Sequence, residues 1–99
     1  MKIKSIQDKI FTGDYRISDH AVKQMIKRSI DKQEIIEAVM MGKIIEEYTK
    51  DKYSPSCLIY GKTKNGRDIN VQLSLPPLVV IITTYDPDPE EWIECNIRR

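Results

Sequence analysis

Asn65-Gly66-Arg67-Asp68-Ile69-Asn70-Val71-Gln72-Leu73-Ser74-Leu75 is the stretch that decides the fold. Asn-Gly between two apolar runs is the strongest short hairpin signal, because a two-residue type I′ turn needs positive φ at both central positions. Beyond it, Ile69, Val71, Leu73 and Leu75 alternate with Asn70, Gln72 and Ser74. A period of two predicts a half-buried strand with one polar face. Upstream, Cys57 to Tyr60 supplies the apolar partner, and Lys43 to Tyr48 reads as a further short strand. The polar stretch Thr49 to Ser56 between them reads as a loop. Downstream, Pro76-Pro77 marks a turn. Leu78 to Tyr85 is a continuous β-rich run, which predicts a central strand covered on both faces.

The first 42 residues read differently. Ile3, Ile6 and Ile10 repeat at helical spacing, so a helix is predicted over Ile3–Phe11, ended by Gly13. Tyr15-Arg16-Ile17 is an extended link. Ser18 or Asp19 caps a second helix running to about Lys27, with Ala21, Val22, Met25 and Ile26 as its apolar stripe. Asp31 and Glu34 resemble a capping box opening a third helix, with Gly42 as its left-handed C-terminal residue. Asp88 or Pro89 starts a short terminal helix carrying Trp92. The expected fold is therefore α+β: N-terminal helices on one face of a roughly four-stranded antiparallel sheet, with a short C-terminal helix.

A chain of 99 residues makes one domain, here spanning 1–99. Sixteen Lys and Arg against fifteen Asp and Glu exclude a protein that coats nucleic acid by charge alone. The charge is uneven. Residues 1–43 carry nine Lys and Arg to six Asp and Glu, and residues 44–99 carry seven to nine. No apolar run is long enough for a membrane span, and the N-terminus lacks the apolar core of a signal peptide. Cys57 and Cys95 lie in no metal-like spacing, so the expected setting is cytoplasmic, with no metal and no cofactor.

His20, the only histidine, falls in the first turn of the second helix, where an imidazole can move a proton beside a bound anion. Lys23, Lys27 and Arg28 lie near it and form either a phosphate-binding face or the ordinary solvated side of a helix. Arg67 after the turn fits a bidentate phosphate clamp, or simply flanks the turn. Asn70 stands on the polar strand face, which forms a cleft floor or faces water. Tyr85 closes the long strand and either stacks a base and shares a proton or caps the core.

These same stretches resemble a known family. Ser18-Asp19-His20-Ala21 with Met25, Arg28 and Ile30 is similar to the opening motif of the DUF4258 family. Tyr53-Ser54-Pro55-Ser56-Cys57-Leu58, Gly61 and Asn65-Gly66-Arg67 continue the likeness, and Ile82 to Trp92 resembles the family's most distinctive segment. The resemblance implies a small RelE-like or barnase-like ribonuclease fold and a toxin of a toxin–antitoxin pair. The implied partners are an antitoxin, often one with a zinc-binding module, and RNA or the ribosome. His20 then matches the family's recurrent histidine and Arg28 its second arginine. Gln24 stands where many members have arginine, and Asn70 where many have histidine. The function expected is a metal-independent endoribonuclease with catalytic His20, Tyr85 and Arg67, and with RNA or phosphate held by Lys23, Lys27, Arg28 and Asn70. The competing expectation is a non-catalytic protein-interaction module.

Overall fold

The computed structural model describes residues 2–50, 54–94 and 97–98. Three helices come first: α1 (Ile3–Phe11), α2 (Asp19–Arg28) and α3 (Lys32–Met41). The strands are β1 (Arg16–Ile17), β2 (Lys43–Tyr48), β3 (Ser56–Lys62), β4 (Asp68–Ser74), β5 (Val80–Tyr85), β6 (Trp92–Ile93) and β7 (Ile97–Arg98). The main sheet has the order β1-β5-β4-β3-β2, and β6 and β7 form a separate two-stranded sheet. Among the described residues, no helix is long and apolar enough to cross a membrane.

The α+β class is as the sequence implies, and the structure differs from the expected details at four places. The link at Arg16–Ile17 is a strand, paired in parallel with Val80–Ile81, so the sheet is five-stranded and mixed. Only two residues pair there, too few to show a period. β4 is the central strand, and β5 lies next to the β1 edge with only Ile81 and Thr84 fully buried. The terminal helix is absent. Glu91 and Trp92 donate their amides to the Asp88 carbonyl for one turn, and the chain then enters β6. The turn at Asn65-Gly66 has positive φ only at Gly66 (86°). The Gly66 amide donates to the Thr63 carbonyl and Thr63 to that of Arg67. This is a four-residue turn with glycine in the bulge position.

The helix side of the sheet carries the core. Ile69, Val71 and Leu73 of β4, Cys57 and Ile59 of β3 and Ile81 of β5 pack under Ile6, Ile10, Ala21, Ile35, Ala38 and Val39. The α2 stripe is narrower than its spacing predicts: Ala21 is buried, while Val22 and Ile26 are 42% and 76% exposed. α2 packs chiefly along β5, one strand in from the sheet's edge, so one row of side chains suffices.

Two glycines let α3 approach the sheet. A Cβ on Gly61 would stand 1.8 Å from the Ala38 carbonyl oxygen. One on Gly42 would meet the Ala38 and Tyr60 carbonyl oxygens at 2.4 Å. Gly42 ends α3 with extended backbone (φ −99°, ψ −172°), not the left-handed conformation its position suggests. Closeness, not φ, requires glycine at both places. Gly61→Ala is therefore expected to lower stability by about 3 kcal/mol or more in urea denaturation, because backbone blocks the new methyl.

Candidate functional site

The ends of α2, α3 and β5 meet at Arg67, the first residue before β4. Its Nε and Nη2 donate to the two Asp86 carboxylate oxygens at 2.9 and 3.2 Å. Nη2 also donates to the Arg28 carbonyl at 2.7 Å, and Nη1 to the Ser29 carbonyl at 2.8 Å. Nη1 further meets the Glu34 carboxylate at 3.3 Å. These contacts engage all five N–H donors of a guanidinium. The Arg28 and Ser29 carbonyls close α2, so the cation sits at the negative end of that helix. Ser29 itself is left-handed (φ 53°). Glu34 also completes the Asp31 capping box of α3, as its spacing predicts. The Asp86 carboxylate first, and Glu34 after it, hold the Arg67 cation charged above the ordinary arginine value. A phosphate clamp at Arg67 would have to break these bonds.

α2 runs alongside β5 in the same direction. Ser18 at its start donates to the Ile81 and Ile82 carbonyls, while the Arg28 carbonyl at its end lies beside Asp86. Ten helical residues span about 15 Å. His20 thus stands at the Ile82 end, exposed on the helix, and Arg28 at the Tyr85 end. Lys23 and Lys27 are exposed on the outer side of α2 and have no ion-pair partner among the described residues. Arg28 and Tyr85 come together. With Asp86, Asp88, Pro89 and Glu91 they line a cleft of about 560 Å³, and His20 is not among its walls. Arg28 Nε donates to Gln24 at 3.2 Å, and its terminal nitrogens make no hydrogen bond among the described residues.

Asn70 pairs in register with Tyr85, on the sheet face turned away from the helices. That polar face does not meet water freely, since Asn70 is fully buried. The amide is close enough to Tyr85 to ease its ionisation, yet neither amide atom makes a hydrogen bond of good geometry. Burial dominates at Tyr85 and keeps its hydroxyl protonated above the usual tyrosine value, with Glu91 and Glu46 adding to the effect.

A neighbouring cluster escaped the sequence reading. Arg98 in β7 donates to both Glu46 oxygens at 2.7 and 2.9 Å, and its guanidinium lies 4.4 Å from the centre of the Trp92 ring. Tyr48 donates to Glu46 as well. Arg98 holds the Glu46 carboxyl below its usual value, while burial and Glu46 push Tyr48 up to about 12. This ion pair places the β6–β7 hairpin over the helix-free face. The only local signal was Glu46 and Tyr48 two residues apart on one strand face. Cys57 is buried and its thiol is pushed up to about 11, which suits a small core residue better than a nucleophile. Cys95 and Tyr53 lie outside the described residues. Among the described residues, no group of three His, Cys, Asp or Glu side chains is placed to hold a metal ion.

The Arg67 junction makes a direct prediction. Arg67→Lys keeps the charge but cannot serve two carbonyls and two carboxylates from one ammonium. Stability should fall by about 2 kcal/mol. The loss should be concentrated where α2 ends, seen as faster hydrogen exchange at the amides of Ser29 and Ile30, which bond Ile26 and Met25 carbonyls.

No curated protein and no solved structure matches the chain. The family model described as "Domain of unknown function (DUF4258)" matches residues 17–86, from β1 to the aspartate that Arg67 holds. That span covers most of the chain, with Arg28, Arg67, Asn70 and Tyr85 inside it, and on this basis the protein belongs to the DUF4258 family.

Proposed function

We propose that the chain is a metal-independent endoribonuclease, the toxin of a toxin–antitoxin pair, and that it cleaves RNA in the cleft between Arg28 and Tyr85. One observation carries the cleavage reading: a cation with free donors, a tyrosine hydroxyl and carboxylates share one small cleft. The toxin reading rests on the family resemblance. Internal transfer needs a base for the 2′-hydroxyl, a cation for the phosphate and an acid for the leaving oxygen.

The carboxylate of Glu91 takes the 2′-hydroxyl proton as that oxygen bonds to phosphorus. Arg28 holds the non-bridging oxygens. The bond from phosphorus to the 5′-oxygen breaks, and Tyr85 gives that oxygen its proton. The products are a 2′,3′-cyclic phosphate and a 5′-hydroxyl, with no oxidant or metal consumed. Asn70 beneath Tyr85 orients the phenol. Arg67 works indirectly, by fixing the Arg28 carbonyl and Asp86 that frame the cleft. His20, two turns before Arg28 on α2, is not among the walls of the cleft, nor are Lys23 and Lys27, so the proposed chemistry gives these three no part.

A non-catalytic interaction module is the competing reading. What favours it is the ratio of Asp86, Asp88 and Glu91 to a single arginine in the cleft, which disfavours a polyanion.

Induced expression in a bacterial host separates the two. Wild type should arrest growth and leave new 5′-hydroxyl RNA ends. Tyr85→Phe and Arg28→Ala should each cut cleavage by about a hundredfold, the usual weight of one acid or one charge clamp. His20→Ala should arrest growth like wild type. Arrest that survives Tyr85→Phe but not His20→Ala would remove the cleft as the active site. Normal growth with folded wild-type protein would favour the interaction module.

A further inference from the structure

The apolar residues that α2 leaves outside the core lie in a row. Val22 and Ile26 are one helical turn apart and 42% and 76% exposed. Positions i and i+4 share a helix face, so the two side chains form a continuous ridge. Beside the ridge run Lys23 and Lys27, again one turn apart, both exposed and without an ion-pair partner among the described residues. Asp19 at the helix start is the only acidic side chain in α2. The face is thus an apolar ridge flanked by a basic one, on a helix whose opposite side is fixed to β5.

We propose that this face docks an acidic amphipathic helix of a partner protein. Three features point to that occupant. The ridge at i, i+4 spacing fits the groove between side chains of another helix. The unpaired lysines select acidic residues on its flank. The ridge is interrupted by no prolines or glycines and ends at the Arg67-bound terminus, so it is presented rigidly. The surface is separate from the Arg28–Tyr85 cleft, and the inference does not depend on RNA cleavage.

The test uses the full chain and a synthetic amphipathic helix of Leu and Glu, with Leu at i and i+4. A Leu and Lys helix of the same pattern is the control. Fluorescence anisotropy at low salt should show the acidic peptide binding at least about tenfold more tightly than the basic one. Lys23→Glu with Lys27→Glu should reverse that preference, and Ile26→Ser should weaken both peptides about tenfold. These side chains are exposed, so the variants are expected to fold, which circular dichroism checks. Amide shifts on binding should centre on residues 19–28. Equal affinity for the two peptides, or shifts centred elsewhere, would overturn the proposal. So would self-association abolished by Ile26→Ser, which would make a second copy the occupant. Shifts on this face with single-stranded RNA or anionic vesicles but not with the acidic peptide would overturn it too.

Discussion

The Arg67 guanidinium holds the end of one helix, the capping box of the next and the end of a strand at a single point. Its two carboxylate partners, Asp86 and Glu34, come from β5's exit and α3's first turn, and its two carbonyl partners close α2. Without the cation, two negative side chains would face the negative end of α2 across a partly dry junction. Removing the cation costs stability, because it leaves two partly buried carboxylates without the partner that holds them together. The junction thereby sets where α2 stops, and so where Arg28 stands relative to Tyr85.

The rest of the fold delivers these groups to the junction. Gly61 and Gly42 bring α3 against the sheet backbone, which sets the level of Asp31 and Glu34. The parallel pairing of Arg16–Ile17 with β5, with Ser18 bound to Ile81 and Ile82, anchors the start of α2 at the other end. Between these two anchors α2 has no freedom to slide. It packs chiefly along β5, so its buried side is narrow, and a basic and apolar face is left open. Catalysis and docking, as proposed, occupy different sides of one rigidly held helix.

Local patterns in the sequence were enough for the three N-terminal helices and for the four antiparallel strands β2 to β5 after them. The spacing of Ile6 and Ile10, the Asp31–Glu34 box and the alternation from Ile69 to Leu73 each encode a local rule that tertiary structure then obeys. The misses share a physical cause. β1 is too short to show a period and exists only because β5 offers it an edge. Asp88 and Glu91 start one helical turn, but Trp92 then pairs in β6 with Arg98, a contact that the local sequence does not announce. Val22 and Ile26 follow helical periodicity, yet burial depends on how many elements cover the helix. At the site, Arg28 and Tyr85 were legible as residue types and their meeting was not. The contacts of Arg67 were not legible for the same reason: its partners lie 19 to 39 residues away.

The most direct measurement uses arginine and tyrosine side-chain resonances of the labelled protein during titration with a short, non-cleavable 2′-O-methyl RNA. The Nε–Hε signal of Arg28 and the ring signals of Tyr85 should shift together and saturate at the same concentration. The Arg67 signal should stay in place, because its donors remain on Asp86, Glu34 and the α2 carbonyls. Shifts confined to His20, or a moving Arg67 signal with Arg28 unchanged, would contradict the account.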